Sequence, residues 1–88
     1  MPGQEEYKKL LTELIQKHMV VLGPNIALDK ARQVPGLKVA DNGSVIELSG
    51  DGQMVLKAVA NEYIALSGAV AKMTLASLLK KYPDIKGL

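Results

Sequence analysis

Residues 34 to 52, VPGLKVADNGSVIELSGDG, are where the periodicity of the chain changes. Leu37 and Val39, then Val45 to Leu48, flank Asp41-Asn42-Gly43-Ser44. An Asn-Gly pair between β-branched residues is a strong hairpin signal, because the mirror-image turn that matches strand twist needs positive φ at both central positions. Strands are predicted near 37–40 and 45–48, with Asn42 and Gly43 at the turn centre. Ser49-Gly50-Asp51-Gly52 then reads as a loop that caps a following helix through Ser49 or Asp51.

Upstream, the apolar spacing is helical. Tyr7, Leu11, Leu14 and His18 form one stripe, and Leu10, Ile15, Met19 and Leu22 widen it, which predicts a helix over 4–22 with Glu5 and Glu6 at its positive end. Gly23 should end it in the left-handed conformation. Pro24 fits the first turn of a second helix, because the donor it lacks is not needed there. That helix is predicted over 24–33, with Ile26, Ala27, Ala31 and Val34 facing the core and Val34-Pro35-Gly36 ending it.

Downstream, a third helix is predicted over 53–67, burying Val55, Leu56, Val59, Tyr63 and Leu66 and ending at Gly68. A fourth should run from Ala69 to about Tyr82, where Pro83 closes it, with Ala71, Leu75, Leu78, Leu79 and Tyr82 as its stripe. Placing Gly68 on Gly23 is a shift of 45 positions (68 − 23 = 45). The shift aligns Leu10 with Val55, Leu11 with Leu56, Leu14 with Val59 and His18 with Tyr63. Each half reads helix, glycine break, helix, at a scale on which supersecondary units recur, although few residues are identical. The fold class is a mostly helical α+β domain over 1–88, in the order α-α-β-β-α-α, with a possible internal pseudo-repeat.

Composition narrows the function. There is no Phe, Trp or Cys among the 88 residues, so the core is aliphatic, and disulfides and thiolate chemistry are excluded. A small aliphatic core makes association an attractive source of further burial. The N-terminal MPGQEEYKKL lacks the apolar run of a signal peptide, and no stretch reaches the roughly 18 apolar residues of a membrane span. A cytoplasmic location is the expectation. A net charge of +2 is too balanced to specify a polyanion partner.

No catalytic, metal or cofactor signature emerges. His18 is the sole histidine and has no companion ligands in sequence; its stripe position suggests a half-buried ring, with Tyr63 its counterpart. A pocket between the helical pairs near His18 and Tyr63 would suit a ligand sensor. The loop 49–53 lacks the lysine and spacing of a P-loop. Asp41, Asn42, Glu47 and Asp51 do not fit a calcium loop. Glu5, Glu6 and Glu13 read as the solvated face of the first helix. Basic residues gather at Lys8, Lys9 and Lys17 and at Lys72, Lys80, Lys81 and Lys86, and Lys80 and Lys81 are the candidate polyanion contacts. Val70 and Met73 project beside the main stripe of the fourth helix and form a candidate partner surface.

Leu22-Gly23-Pro24-Asn25-Ile26-Ala27 resembles a Gly-Pro helix break of small helical modules attached to bacterial signalling proteins, in which a hairpin is not part of the pattern; no functional residue carries across. The function these observations favour is a non-enzymatic interaction or regulatory module, working through apolar helical surface as a homodimer. The alternative is a small nucleic-acid-associated protein using its lysines.

Overall fold

A computed structural model describes residues 3 to 85 and gives the order α1 (Gln4–Val21), α2 (Pro24–Arg32), β1 (Leu37–Val39), β2 (Val45–Leu48), α3 (Gly52–Ser67), α4 (Ala69–Leu79). The architecture is a mostly helical α+β fold with one antiparallel hairpin.

The long helices α1 and α3 set the frame. At one end of their contact the rings of His18 and Tyr63 stack with centroids 4.1 Å apart and planes 6° from parallel. At the other end the Tyr7 ring lies against Gly52, where a Cβ would come within 2.5 Å of Cδ2. Both pairs are related by the 45-residue shift, and each helix rises roughly 16 Å over the intervening eleven residues. The two helices therefore run parallel and in register. Leu11, Leu14, Leu56 and Val59 lie between the two contacts, and all are buried. The stripes 7, 11, 14, 18 and 52, 56, 59, 63 have the alternating four-and-three spacing that keeps two parallel helices facing each other.

The pseudo-repeat extends beyond this pair. The buried positions of α1 (7, 10, 11, 14, 15 and 18) and of α3 (52, 55, 56, 59, 60 and 63) correspond one for one at the 45-residue shift. In the shorter helices the match slips by one residue: Ala27, Ala31 and Val34 correspond to Ala71, Leu75 and Leu78 at a shift of 44. The slip arises at the breaks, which differ. Gly23 has φ 88° and ψ 150°, whereas Gly68 has φ 53° and ψ −116°. Neither occupies the left-handed helical well expected from sequence, which needs ψ near +47°. Positive φ is common to both, but α1 has already ended at Leu22, and Gly68 alone joins α3 to α4.

The core corrects two other expectations. Ile26 and Leu66 are each 49% exposed, while Leu28 and Ala60 are buried in their helices. Spacing marks a broad apolar stripe but not which edge of it meets a neighbour. Helix α4 stops at Leu79 rather than near Tyr82; Pro83 has no N–H to donate to Leu79 O and disfavours helical geometry at Tyr82. The chain tightens into turns, with Lys81 N–H donating to Leu78 O and Tyr82 N–H to Leu79 O, and these turns deliver Ile85 into the core at 3% exposure.

The hairpin forms where predicted, but its turn differs. Gly43 N–H donates to Ala40 O and Ala40 N–H to Ser44 O, which makes a three-residue loop of Asp41, Asn42 and Gly43. Only Gly43 has positive φ (89°), and no described non-glycine residue does, so Asn42 is not in the mirror-image conformation. Asn42 Oδ1 instead accepts from Ser44 N–H. The loop is docked on α1: Gln16 Nε2 donates to Asn42 O, Val45 N–H donates to Thr12 Oγ1, and a Cβ at Gly43 would collide with Met19 and Gln16. Asp51, one of the two expected caps, accepts from Gln53 N–H and starts α3.

The Tyr7–Gly52 contact yields a test. Gly52→Ala should destabilise by about 1–3 kcal/mol through overpacking, although alanine is the better helix former. In a Tyr7→Leu background the same change should cost less. Equal cost in both backgrounds, measured by urea unfolding, would show that ring and glycine do not meet.

Candidate functional site

Parallel, in-register α1 and α3 have their C-termini at the same end of the molecule, so the two glycine breaks lie at one pole. The sequence there carries no ionised side chain over two long spans. Between Lys17 and Asp29 the residues are HMVVLGPNIAL, and between Glu62 and Lys72 they are YIALSGAVA. Large apolar side chains are exposed on both spans: Val20, Val21 and Ile26 around Gly23, and Leu66 and Val70 around Gly68. Met73 follows Val70 at i+3 on α4, on the same helical face. Val20 at 87% and Met73 at 72% are the two most exposed. Single exposed hydrophobics are unremarkable; here Val20, Val21, Ile26, Leu66 and Val70 fall on two uncharged spans that the parallel helices bring to one end.

Beneath this pole lies the His18–Tyr63 stack. Both residues are fully buried, so His18 is not the half-buried ring that its stripe position suggested: Tyr63 covers its face. Tyr63 Oη donates to Ala27 O at 2.7 Å, which ties α3 to α2, and burial pushes its phenol well above the ordinary range. His18 Nδ1 lies 2.9 Å from Leu14 O, an arrangement that requires the Nδ1–H tautomer. Nε2 is buried without a hydrogen-bond partner. Burial lowers the imidazole pKa, outweighing the opposing effect of the Leu14 hydrogen bond, because a proton on Nε2 would have no acceptor. The residues proposed as pocket lining thus meet, but in contact: each ring fills the space beside the other.

The remaining sequence candidates fall elsewhere. Val70 and Met73 are exposed on α4, whose only charged residue is Lys72. Lys80 is exposed just past α4. Lys81 pairs with Glu13 Oε1 at 3.0 Å, and Tyr82 Oη donates to Glu13 Oε2 at 2.7 Å. Glu13 is therefore an anchor for the C-terminal turn and not a freely solvated carboxylate. The Tyr82 hydrogen bond, followed by that of Lys81, lowers its pKa, while burial and Glu13 push the Tyr82 phenol up to about 12. Lys86 lies outside the described residues. Ion pairs also occupy Lys8 with Glu5, Lys30 with Glu62, Arg32 with Asp41 and Lys38 with Glu47. Among the described residues no three His, Asp or Glu side chains converge as a metal site requires, and no helix is long and apolar enough to cross a membrane.

Sequence reasoning passed over Val20, Val21, Ile26 and Leu66 as surface. The signal for them was the absence of charge on two segments 45 residues apart, which acquires meaning only once α1 and α3 are parallel. No protein-family model matches this chain, and neither does any curated protein or solved structure.

The buried imidazole sets a pH dependence. Its folded-state pKa lies below the ordinary 6.5, so the unfolded chain binds the extra proton first. The stability gained by keeping His18 neutral is complete above about pH 6.5 and is lost as pH falls below that value toward the folded-state pKa. Glu13, whose pKa is lowered from 4.5, contributes stability that is lost at more acidic pH. His18→Phe keeps an aromatic ring but no titrating group. Its melting temperature should vary less than wild type between pH 7.5 and pH 5, and identical profiles would contradict the assignment.

Proposed function

We propose that this chain is a small non-enzymatic interaction or regulatory module that works through apolar helical surface, meeting a second copy of itself through the uncharged pole. The observation that carries this reading is the exposure of Val20, Val21, Ile26, Leu66 and Val70 on two spans that lack ionised groups and share one end of the molecule, with Met73 just past Lys72 on the same face of α4 as Val70. Homodimer interfaces are depleted of charge and resemble a core cut in two. Isologous pairing sets each patch against its own kind, so like-charge repulsion is limited to Lys72, the one charged residue between Val70 and Met73.

Magnitudes favour pairing. Full burial of an aliphatic side chain contributes about 1.5–3 kcal/mol. Completing the burial of these six in each of two copies contributes on the order of 10 to 20 kcal/mol, against an association cost of about 4–15 kcal/mol. The His18–Tyr63 stack supports the pole from below, giving it a rigid backing that needs little ordering on contact. A cytoplasmic location suits the cysteine-free sequence.

Nucleic-acid association through Lys80 and Lys81 is the alternative. Its support is thin: Lys81 is committed to Glu13, and an exposed aromatic platform for base stacking is not among the described residues.

Sedimentation tests the two readings together. The wild-type chain should run as a dimer, and Val70→Asp or Met73→Asp should shift it toward monomer while circular dichroism stays native, because an unpaired carboxylate would be buried at the interface. Ile46→Asp and Met54→Asp, exposed away from the pole, should remain dimeric. A wild-type monomer overturns the dimer. Binding to random-sequence DNA that weakens steeply with salt and with Lys80→Ala/Lys81→Ala would instead support the alternative.

A further inference from the structure

Helices α3 and α4 enclose a second feature that the pole does not use, an outward-opening cleft of about 470 Å³ between them. Its floor is apolar: Leu75 is buried, and Ile64 and Leu79 are half-buried. Its walls carry Lys57 and Asn61 on α3 and Lys72 on α4. Lys57 and Leu79 are equally far in sequence from Gly68, as are Asn61 and Leu75, and as are Ile64 and Lys72. The helices fold back on one another about that glycine, so these pairs are the levels of the cleft. The two ammonium groups stand on opposite walls at opposite ends, separated along the cleft by about seven residues, roughly 10 Å at the helical rise.

Both lysines lack a carboxylate partner among the described residues, as do Lys9, Lys17 and Lys80, while the other five basic residues there have one. The sole acid on α3, Glu62, is turned to Lys30 of α2, and α4 has none. The cleft thus combines an apolar floor with two uncompensated positive charges. A second copy of this chain would bring lysine against lysine in an isologous contact, which excludes the pole's mode of association here. A ligand with a single carboxylate would neutralise one end only.

We propose that the α3–α4 cleft receives an amphipathic helix of another protein, one whose apolar stripe lies on Ile64, Leu75 and Leu79 and whose flanks carry carboxylates about two turns apart for Lys57 and Lys72. A helix laid in such a groove is read by anchors at i, i+3 or i+4, and i+7, and flanking charge selects the partner. This rests on the reading of the chain as an interaction module and is independent of the dimer.

The test uses the full chain and two synthetic fluorescein-labelled helical peptides with the same leucine stripe, one flanked by glutamates and the other by lysines. Fluorescence anisotropy should show the glutamate peptide binding at least about tenfold more tightly, with the difference shrinking as salt is added. Lys57→Glu/Lys72→Glu should reverse the preference; both side chains are exposed, so circular dichroism should remain native. Val70→Asp should monomerise the chain and leave peptide binding unchanged. Equal affinity for the two peptides, or a preference that survives the double charge reversal, overturns the cleft assignment even if the chain is dimeric. A monomeric wild type that still prefers the glutamate peptide removes the dimer and keeps the cleft.

Discussion

The register between α1 and α3 is the constraint on which the rest of the molecule depends. It is held at one end by an imidazole stacked on a phenol and at the other by a phenol ring seated on a glycine. Neither contact tolerates a slip of one residue, since a rotation of about 100° per residue would swing the rings out of the seam. With the register fixed, the N-terminal ends of both helices lie at the open end of the hairpin, where Gln4 Nε2 donates to Leu48 O and Gly50 O, while the hairpin turn docks farther along α1 at Gln16. Their C-terminal ends bring the two glycine breaks together.

That pairing converts a weak sequence feature into a surface. Eleven residues around Gly23 and nine around Gly68 lack ionised groups, and in one dimension each is an unremarkable apolar patch. Side by side they make a pole that neither half could form alone. The His18 Nε2 left without a partner just below it is the one buried polar atom of this kind among the described residues. An unsatisfied buried acceptor costs about 1–3 kcal/mol, and the ring stacking that demands it contributes a comparable amount. The imidazole therefore adds little net stability, while its stacking on Tyr63 fixes the register.

Much of the backbone was legible because the punctuating residues act locally. Gly23-Pro24, Gly68, Asn42-Gly43 and Asp51 each impose or permit a conformation that needs no knowledge of tertiary neighbours, and the order of elements followed from them. What depended on neighbours was harder to read. Ile26 and Leu66 sit at the edge of an apolar stripe, and only the position of the adjoining helix decides that Leu28 and Ala60 go inside. Ile85 belongs to no periodic element, so no pattern announced its burial. Glu13 resembled any exposed helical acid until the C-terminal turn brought Lys81 and Tyr82 onto it. His18 and Tyr63 were aligned by the suspected repeat, but stacking between equivalent positions requires a parallel pair, which sequence spacing alone does not distinguish from an antiparallel one.

The most direct measurement of this account is a solution NOESY spectrum of the aromatic side chains. Parallel, in-register helices predict cross-peaks between the His18 and Tyr63 ring protons, together with cross-peaks from the Tyr7 ring to the Gly52 α-protons. Cross-peaks that join His18 to the Gly52 end of α3, or Tyr7 to the Tyr63 end, would make the helices antiparallel. The uncharged spans would then lie at opposite ends of the molecule, and the contact surface built on them would not exist.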